Sequence, residues 1–258
     1  MNAVVNDDEW ILHYENEYET IEKKIKAKDI WKKIIHNAWK RGDPGLQFID
    51  TWIKYSNSDP LGYPLEASNA CGEIPGDQYN VCMLSHINLG KFNEYGEEGF
   101  IKLIKFGVKF LNACRLNEYY EMRSPILEQK EKLLKIPRIG LGDTGFADYL
   151  LNKKIPYGSK ESIREREYIG RLMAKYAYET GYDLAKEYGS YPAYNKEKIK
   201  KSAYIKRLLD EKIIEDCVLD HQFNVQYLTM APVGSGSIIT NTGGSGIVTG
   251  KQIGRAHV

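Results

Sequence analysis

The feature that most constrains the fold is a short apolar segment, PRIGLG at residues 137–142, set between two longer segments of helical periodicity. Its length and its glycine exit predict a buried strand. Helical spacing of apolar residues covers about 97–115 before this strand and 160–188 after it, with a shorter helix through TGFADYLL. A second strand is predicted at 224–232, NVQYLTMAP. Strands that alternate with helices predict an α/β protein with a parallel sheet, either open or closed into a barrel.

Three further segments carry local predictions. Apolar residues at helical spacing predict a helix over 17–41, which the turn residues RGDPG end. Residues 60–75 are predicted to form a loop. The lysine-rich stretch 196–207 is predicted to be a solvated helix face, because a nucleic-acid patch would carry interleaved aromatic residues.

Charge and cysteine content exclude several classes of protein. Thirty-six basic and 35 acidic side chains give a net charge of +1, so no basic field attracts nucleic acid. No apolar run reaches the length of a membrane span, and the N-terminal residues do not predict a signal peptide. Four cysteines are too few for a disulfide framework. A reducing, cytoplasmic location is therefore predicted, with any functional cysteine acting as a thiol.

The first chemical signal is SNACGEIP, in which Asn69, Cys71 and Glu73 alternate. Alternate residues of an extended loop point the same way, so the three side chains are predicted to face one cavity. Gly72 permits close approach of the backbone. A thiol between an amide and a general base suits chemistry on a hydroxyl-bearing substrate. A buried structural cysteine in a polar loop is the alternative that this motif alone leaves open.

Metal and hydrolase sites fit the same residues less well. Cys71 and Cys82 lack the C-x₂-C spacing of a structural zinc site, and no close pair completes a tetrahedral set. A cysteine hydrolase would need a histidine base, and the sequence context favours none of them. The candidates are His13, His36, His86 and His221. Cys114 falls on the apolar face of its predicted helix, so it is predicted to be a core thiol, and Cys217 is also predicted to be structural.

The second chemical signal is the glycine- and serine-rich turn APVGSGS at residues 231–237. A turn from a strand into a helix presents free backbone N–H groups, which favour a phosphate together with the helix dipole. The turn matches neither the Walker pattern nor G-x-G-x-x-G, so an ordinary strand-to-helix turn stays open.

Four collinear motifs resemble ribonucleotide reductase, in particular the large catalytic chain of the adenosylcobalamin-dependent (class II) enzymes. SNACGEIP and the later CMLSHINLGKF are similar to that family's N-P-C-G-E and C-N-L-G-S-I-N-L, at the same cysteine spacing. AWKRGDPGLQFID (38–50) resembles the segment before them. PRIGLGDTGFADYLL is similar to R-R-I-G-L-G-V-M-G-L-A-D. APVGSGSIITNTGGSGI is similar to the phosphate loop A-P-T-G-(S/T)-I-S and the T-S-S-G-I that follows it, so the matches cover most of residues 38–247.

The resemblance implies a fold and a set of catalytic roles. The family's catalytic domain is a ten-stranded α/β barrel of the ribonucleotide reductase and glycyl-radical type, with a radical cysteine on a loop inside it. Cys71 would become a thiyl radical and abstract the ribose 3′-hydrogen. Glu73 would take the 3′-hydroxyl proton, and Asn69 would hold the substrate hydroxyls. Cys82 would be one member of the cysteine pair that supplies two electrons.

The resemblance also implies ligands and partners. The substrate would be a ribonucleoside di- or triphosphate, the cofactor adenosylcobalamin and the reductant a thioredoxin- or glutaredoxin-like protein. A homodimer is left open, and no metal site, nucleic acid or membrane is implied. The implied substrate-binding residues are Ser68, Asn69, Cys71, Glu73, Pro232, Val233, Gly234, Ser235, Gly236 and Ser237.

The chain departs from the family's pattern in several places. Ala70 stands where the family has proline, Val233 replaces threonine and Gly236 replaces an aliphatic residue. TGGSGI is one residue longer than the family's motif. The family's other redox cysteine lies well upstream of the radical cysteine, whereas no cysteine precedes Cys71 here.

These departures set the expected domain organisation. Residues 1–252 are predicted to be part of a catalytic barrel, incomplete in this chain. The end QIGRAHV resembles a translated sequencing adapter, so residues 253–258 are predicted not to be native. We expect an internal fragment that is inactive alone. The alternatives are a class I catalytic chain, which relies on a separate radical-generating subunit, and a non-catalytic nucleotide-binding relic.

Overall fold

The computed structural model describes residues 1–121 and 124–242, in two compact units that divide after Phe48. Within those two ranges, no helix combines the length and the apolar character needed to cross a membrane. The sequence-based domain bounds stay a prediction, and the proposed adapter tail at 253–258 lies outside the described residues.

The first unit contains a helix and an antiparallel hairpin followed by a longer helix. These elements are α1 (Asn2–Asn6), β1 (Glu9–Glu15), β2 (Thr20–Lys26) and α2 (Ala27–Arg41). The helix predicted over 17–41 is therefore confirmed for 27–41 and wrong for 20–26. Ile21 and Ile25 suggested a helix, but a spacing of four residues shares one face in a strand as well. The β1 strand decides between the two, since it pairs with β2 along its whole length.

The second unit contains the larger sheet and most of the helices. Its helices are α3 (Ile49–Tyr55), α4 (Phe92–Glu121), α5 (Leu127–Lys135), α6 (Phe146–Asn152), α7 (Lys160–Tyr188), α8 (Lys196–Ile199), α9 (Ala203–Asp210) and α10 (Gly234–Ile239). Its strands are β3 (Ala67–Ser68), β4 (Pro75–Gly76), β5 (Cys82–Asn88), β6 (Arg138–Thr144) and β7 (Gln226–Leu228). Short 3₁₀ turns cover Asp59–Leu61, Leu89–Lys91 and Asp216–Asp220.

The three-stranded sheet has the order β5-β6-β7, and its strands are parallel. Parallel strands need crossover connections, and here α4 and α5 link β5 to β6 while α6 to α9 link β6 to β7. Every residue of the central strand β6 is buried. The predicted strand at 137–142 and the predicted α/β fold are confirmed. The strand predicted at 224–232 is reduced to the three residues of β7.

The two faces of β6 have different partners. Ile139 and Leu141 are buried against the helices, and Gly107 of α4 lets the Leu141 side chain approach closely. The opposite face carries Gly140 and Gly142, whose missing side chains let Leu84, His86 and Thr229 pack directly on the strand. Because side chains alternate along a strand, one face of β6 packs on the helices and the other packs against β5 and the chain after β7.

The helices largely follow their sequence signals. The predicted helix at 160–188 is confirmed, with Ser159 as its N-cap and Gly189 after its end. The lysine-rich stretch forms two short helices, because Ser202 ends the first segment and caps α9 through its hydroxyl. Residues 60–75 are not wholly loop, since β3 and β4 pair as a hairpin within them.

Candidate active site

The Asn-Cys-Glu stretch forms the closed end of the β3–β4 hairpin. The Gly72 N–H donates to the Asn69 carbonyl at 3.0 Å, which closes a turn over residues 69–72. Gly72 has a φ of 84°, a conformation that favours glycine. The Ile74 N–H donates to the Asn69 side-chain oxygen at 3.0 Å. The chain here is therefore a tight turn, and the extended loop predicted from the alternation is wrong.

The turn sends the three side chains in different directions. Asn69 lines a cavity of about 480 Å³, whereas Glu73 lines another of about 390 Å³. Cys71 is exposed at the hairpin and lines neither cavity. The expectation that all three face one cavity is wrong, because alternation places side chains together only where the backbone is extended.

Glu73 connects the hairpin to the chain that follows the sheet. Its backbone carbonyl accepts a hydrogen bond from the Thr229 hydroxyl at 2.9 Å, which ties the hairpin to the chain beyond β7. Its Oε2 atom is buried and has no hydrogen-bond partner among the described residues. The cavity that Glu73 enters is lined by aromatic and polar side chains, including Trp52, Tyr55, Asn57, Arg138, Tyr178 and Tyr204. A buried carboxylate oxygen without a donor is a ready acceptor for a ligand hydroxyl.

The β5 strand presents Cys82 and His86 over the glycine face of β6. A Cβ atom at Gly140 would lie 2.5 Å from both the Leu84 and the Thr229 side chains. Burial raises the pKa of Cys82 to about 12, while Arg138 opposes the shift and Glu73 adds to it. The Cys82 thiol is thus protonated in the resting protein.

His86 occupies the same face, further along β5. Burial lowers the pKa of His86, although a backbone hydrogen bond to Ala231 and the Asp143 and Glu73 carboxylates oppose that shift. A Cβ atom at Gly142 would lie within 3.3 Å of the imidazole and 2.5 Å from the Thr229 carbonyl oxygen. Local sequence context favours His86 no more than the other histidines, since only the strand pairing places it beside Ala231 and Glu73.

Arg138 was missed by sequence reasoning, although a signal was present. It is an arginine at the start of a buried apolar strand, and a buried cation needs a partner. Its guanidinium pairs with Asp77 at 2.6 Å, and Asp77 also pairs with Lys132 at 2.5 Å. Arg138 lies opposite Cys82 in the β5–β6 register. The site therefore contains a charge cluster that the motifs alone do not reveal.

The chain that follows the predicted phosphate turn and α10 contacts the carboxyl ends of β5 and β6. The Asn88 side chain donates to the Thr240 carbonyl at 3.3 Å, and the Thr144 and Thr242 hydroxyls are 3.4 Å apart. The turn leads into α10, with Val233 as the N-cap residue. The Ser237 hydroxyl is used within the helix, where it donates to the Gly234 carbonyl at 2.7 Å. Most of the TGGSGI motif lies outside the described residues.

The predicted substrate-binding residues thus divide between two places. Ser68, Asn69, Cys71 and Glu73 lie in or beside the hairpin, while residues 232–237 lie around the start of α10. Ser68 lines the same cavity as Asn69 and Cys82. Their roles stay predictions.

The other two cysteines differ from their predicted settings. Cys114 is half-buried, at the margin of the apolar face of α4 rather than in the core. Cys217 is exposed, because its neighbours Val218 and Leu219 take the inward positions of the 3₁₀ turn. Cys217 is therefore not a core thiol. No group of three metal-binding side chains comes together in the two described ranges.

Comparison with known proteins assigns the family. A family model described as the barrel domain of ribonucleotide reductase matches residues 5–247. A vitamin B12-dependent ribonucleoside-diphosphate reductase of Thermoplasma acidophilum is 33% identical over 192 residues, which cover 74% of this chain and 25% of the relative. A ribonucleoside-diphosphate reductase subunit alpha of Chlamydia trachomatis is 32% identical over 197 residues, covering 72% of this chain and 18% of the relative. The chain thus spans about a quarter or less of the length of these relatives.

The fold agrees with that assignment. The alpha subunit of the class Id ribonucleotide reductase of Actinobacillus ureae superposes with a TM-score of 0.68 at 20% identity, covering 85% of this chain and 39% of the other. At that identity the likeness concerns the fold alone. With three adjacent parallel strands and their crossover helices, the structure confirms the predicted partial α/β barrel. The chain belongs to the ribonucleotide reductase family and forms part of its barrel domain.

Proposed function

We propose that the complete reductase polypeptide containing this chain converts ribonucleotides to 2′-deoxyribonucleotides by thiyl-radical chemistry. The observation that carries the proposal is the buried, unpartnered Oε2 atom of Glu73 in a cavity of about 390 Å³. A carboxylate in that position is suited to accept the proton of a ribose hydroxyl. The family assignment supplies the reaction in which such a step is required.

Cys71, Glu73 and Cys82 each have a separate role in the proposed reaction. The Cys71 thiyl radical takes the hydrogen atom from C3′, which leaves a thiol and a substrate radical. Glu73 accepts the 3′-hydroxyl proton, the 2′-hydroxyl leaves as water after it takes a proton from one thiol of the cysteine pair, and C2′ receives the hydrogen of the other thiol. Cys82 and a second cysteine of the enzyme supply two electrons and become a disulfide. Return of the hydrogen atom from Cys71 to C3′ then regenerates the thiyl radical.

The proposed role of Cys71 requires the hairpin turn to rearrange when substrate binds. Cys71 and Glu73 would act on the same ribose carbon, whereas in this structure Cys71 is exposed and lines neither cavity, and Glu73 lines one of them. The hydrogen bonds of Asn69 to Gly72 and Ile74 hold the turn in its present form. A rearrangement that brings both side chains to one ribose would favour transfer of one particular hydrogen.

The substrate phosphates would bind at the start of α10. First-turn N–H groups of a helix have no acceptor within it, so the amides around Val233, Gly234 and Ser235 are suited to an anion. The replacement of threonine by Val233 is compatible with this role, since the contacts would come from the backbone. Whether the substrate is a di- or a triphosphate depends on groups beyond this turn.

Adenosylcobalamin is the proposed source of the radical, because several relatives are named as vitamin B12-dependent. We assign no residue of this chain to the cofactor. A thioredoxin- or glutaredoxin-like dithiol protein is the proposed reductant of the cysteine pair.

A class I mechanism is the second candidate, because the Chlamydia relatives are named as alpha subunits. Turnover of the complete polypeptide with adenosylcobalamin and a dithiol, without another subunit, would support the class II reaction. Turnover that begins only after addition of a metal-containing subunit would support class I.

Glu73→Gln in the complete polypeptide is expected to lower kcat by about 10² to 10⁴-fold, because the amide cannot accept the hydroxyl proton. Ribonucleotide affinity should change little, since glutamine has nearly the same shape. Single-turnover product formation and equilibrium binding measure the two effects. Glu98→Gln, an exposed position on α4, is the matched control and should retain wild-type turnover. Wild-type kcat in Glu73→Gln would contradict the base assignment.

Cys82→Ala is expected to separate the radical step from the redox step. Hydrogen abstraction by Cys71 needs no electron from Cys82, so exchange or loss of the 3′-hydrogen should persist. Repeated turnover with a dithiol protein should stop, because the disulfide cannot form. Measurement of both 3′-hydrogen release and deoxyribonucleotide yield separates the radical step from the redox step. Sustained turnover in the variant would exclude Cys82 from the redox cysteine pair.

A further inference from the structure

A buried charge cluster lies beside Cys82. The side chains of Arg138 and Asp77 are only 2% and 4% exposed, and their ion pair is 2.6 Å long. The second oxygen of Asp77 pairs with Lys132, whose side chain is 20% exposed. Ion pairs of this kind are costly to bury, so their position requires an explanation.

The register of the sheet brings the cluster to the thiol. Cys82 and Arg138 are opposite residues of β5 and β6, and opposite residues of neighbouring strands project from the same face. Two residues on, a Cβ atom at Gly140 would lie 3.2 Å from the Cys82 sulfur, which confirms that the thiol leans over β6. Asp77 and Cys82 also line the same cavity of about 480 Å³.

We infer that Arg138, held in place by Asp77, is a positioning residue that controls the reactivity of Cys82 in thiol–disulfide exchange. The inference rests on the proposed redox role of Cys82. A guanidinium is a cation, so it stabilises a neighbouring thiolate. Asp77 fixes the guanidinium and at the same time reduces its field at the sulfur.

The exchange step explains why this control matters. A reductant thiolate attacks the disulfide that contains Cys82, the S–S bond breaks, and Cys82 leaves as a thiolate. The second thiol of the reductant then closes its own disulfide and releases the partner cysteine. Two electrons pass to the enzyme, and each released thiolate takes up one proton. A thiolate that leaves more easily is released faster.

Burial opposes this chemistry, because it raises the pKa of Cys82 to about 12. Arg138 acts against burial, whereas Glu73 acts with it. Glu66, Asp77 and Tyr79 line the cavity that the thiol shares, Lys132 pairs with Asp77, and His86 lies on the same face of β5. Arg138 is the cation that faces Cys82 in the β5–β6 register and that opposes its raised pKa, so its removal should slow the exchange.

The test is the alkylation of Cys82 by iodoacetamide, a neutral probe, followed at that residue by mass spectrometry between pH 7 and 10 in the 258-residue chain. Arg138→Gln is expected to slow the reaction about tenfold at each pH below the pKa of Cys82, because a smaller fraction of the thiol is ionised. Asp77→Asn is expected to accelerate it, because the guanidinium field is no longer opposed. A merely structural role would accelerate both, since a loosened fold exposes the thiol.

Arg166→Gln is the matched control. Arg166 forms a comparable pair with the buried Asp143, at 2.8 Å, but it reaches β6 from α7. Its loss should leave the Cys82 rate unchanged. Should Arg138→Gln fail to fold, Asp77→Asn is measured together with its denaturant midpoint. Faster alkylation at an unchanged midpoint supports the inference, whereas a rate equal to or below wild type, or an acceleration that accompanies a lowered midpoint, overturns it. An unchanged or faster rate in folded Arg138→Gln overturns it as well. Neither result depends on reductase activity, so failure here is separate from failure of the proposed function.

Discussion

Cys71→Ser in the complete reductase polypeptide is expected to abolish deoxyribonucleotide formation. A serine hydroxyl does not replace the thiol as a hydrogen-abstracting radical, because an O–H bond is much harder to cleave homolytically than an S–H bond. Ribonucleotide binding should stay near the wild-type level. The side chain is exposed and the turn is held by backbone hydrogen bonds, so the smaller oxygen requires no repacking.

The control for this variant is Cys217→Ser. Cys217 is also an exposed thiol of this chain, but it lies on the 3₁₀ turn Asp216–Asp220. It should retain wild-type turnover. Product analysis by chromatography and a separate nucleotide-binding measurement are sufficient. Substantial product from Cys71→Ser would remove the radical role, whereas a joint loss of binding and turnover would indicate a damaged site.

The largest stability effect is expected from Gly181→Ala in the 258-residue chain. A Cβ atom at this position of α7 would lie 1.9 Å from the Tyr227 hydroxyl and 2.3 Å from its ring. The hydroxyl accepts hydrogen bonds from the Phe223 and Asn224 amides and donates to Gln222 at 2.6 Å. A methyl group would displace the ring and leave these buried groups unpaired. We expect a loss of about 4 kcal/mol in the free energy of unfolding, from overpacking and broken hydrogen bonds together.

The matched control lies on the same helix. A Cβ atom added at Gly170 would meet no neighbouring atom within 4 Å, so Gly170→Ala should raise stability by about 0.5 to 1 kcal/mol through helix propensity. Denaturant unfolding of both variants measures the difference. Equal stability of Gly181→Ala and the wild type would show that α7 and β7 are not packed against each other at Tyr227.

Most of the helices and the core strand could be predicted from the sequence, because the spacing of apolar residues in those segments fits only one kind of element. The 160–188 helix has a serine cap, a long amphipathic pattern and a glycine stop, and all three agree. The β6 strand was readable because it is buried on both faces and so reads as a continuous apolar run. The strand at 20–26 could not be predicted, because the spacing of its apolar residues fits a helix and a strand equally. Only its pairing with β1 makes it a strand.

The candidate site residues were proposed from sequence motifs and their roles stay predictions, whereas their geometry could not be predicted from those motifs. The family motifs identified Asn69, Cys71 and Glu73, yet a positive φ at Gly72 turned the chain and separated their side chains. Arg138 lies beside Cys82 only because β5 and β6 pair in this register, and the two strands lie far apart along the chain. Contacts of this kind depend on strand pairing, which no local pattern specifies.

The most direct test of thiyl-radical chemistry at Cys71 is competition between an ordinary ribonucleotide and one carrying deuterium at C3′, in the complete reductase with its radical source and a dithiol. The deuterated substrate should be consumed more slowly, because Cys71 must break the bond from C3′ to its hydrogen. A substrate deuterated at C5′ is the control and should show no discrimination. Equal consumption of the 3′-deuterated and ordinary substrates would contradict hydrogen abstraction by Cys71.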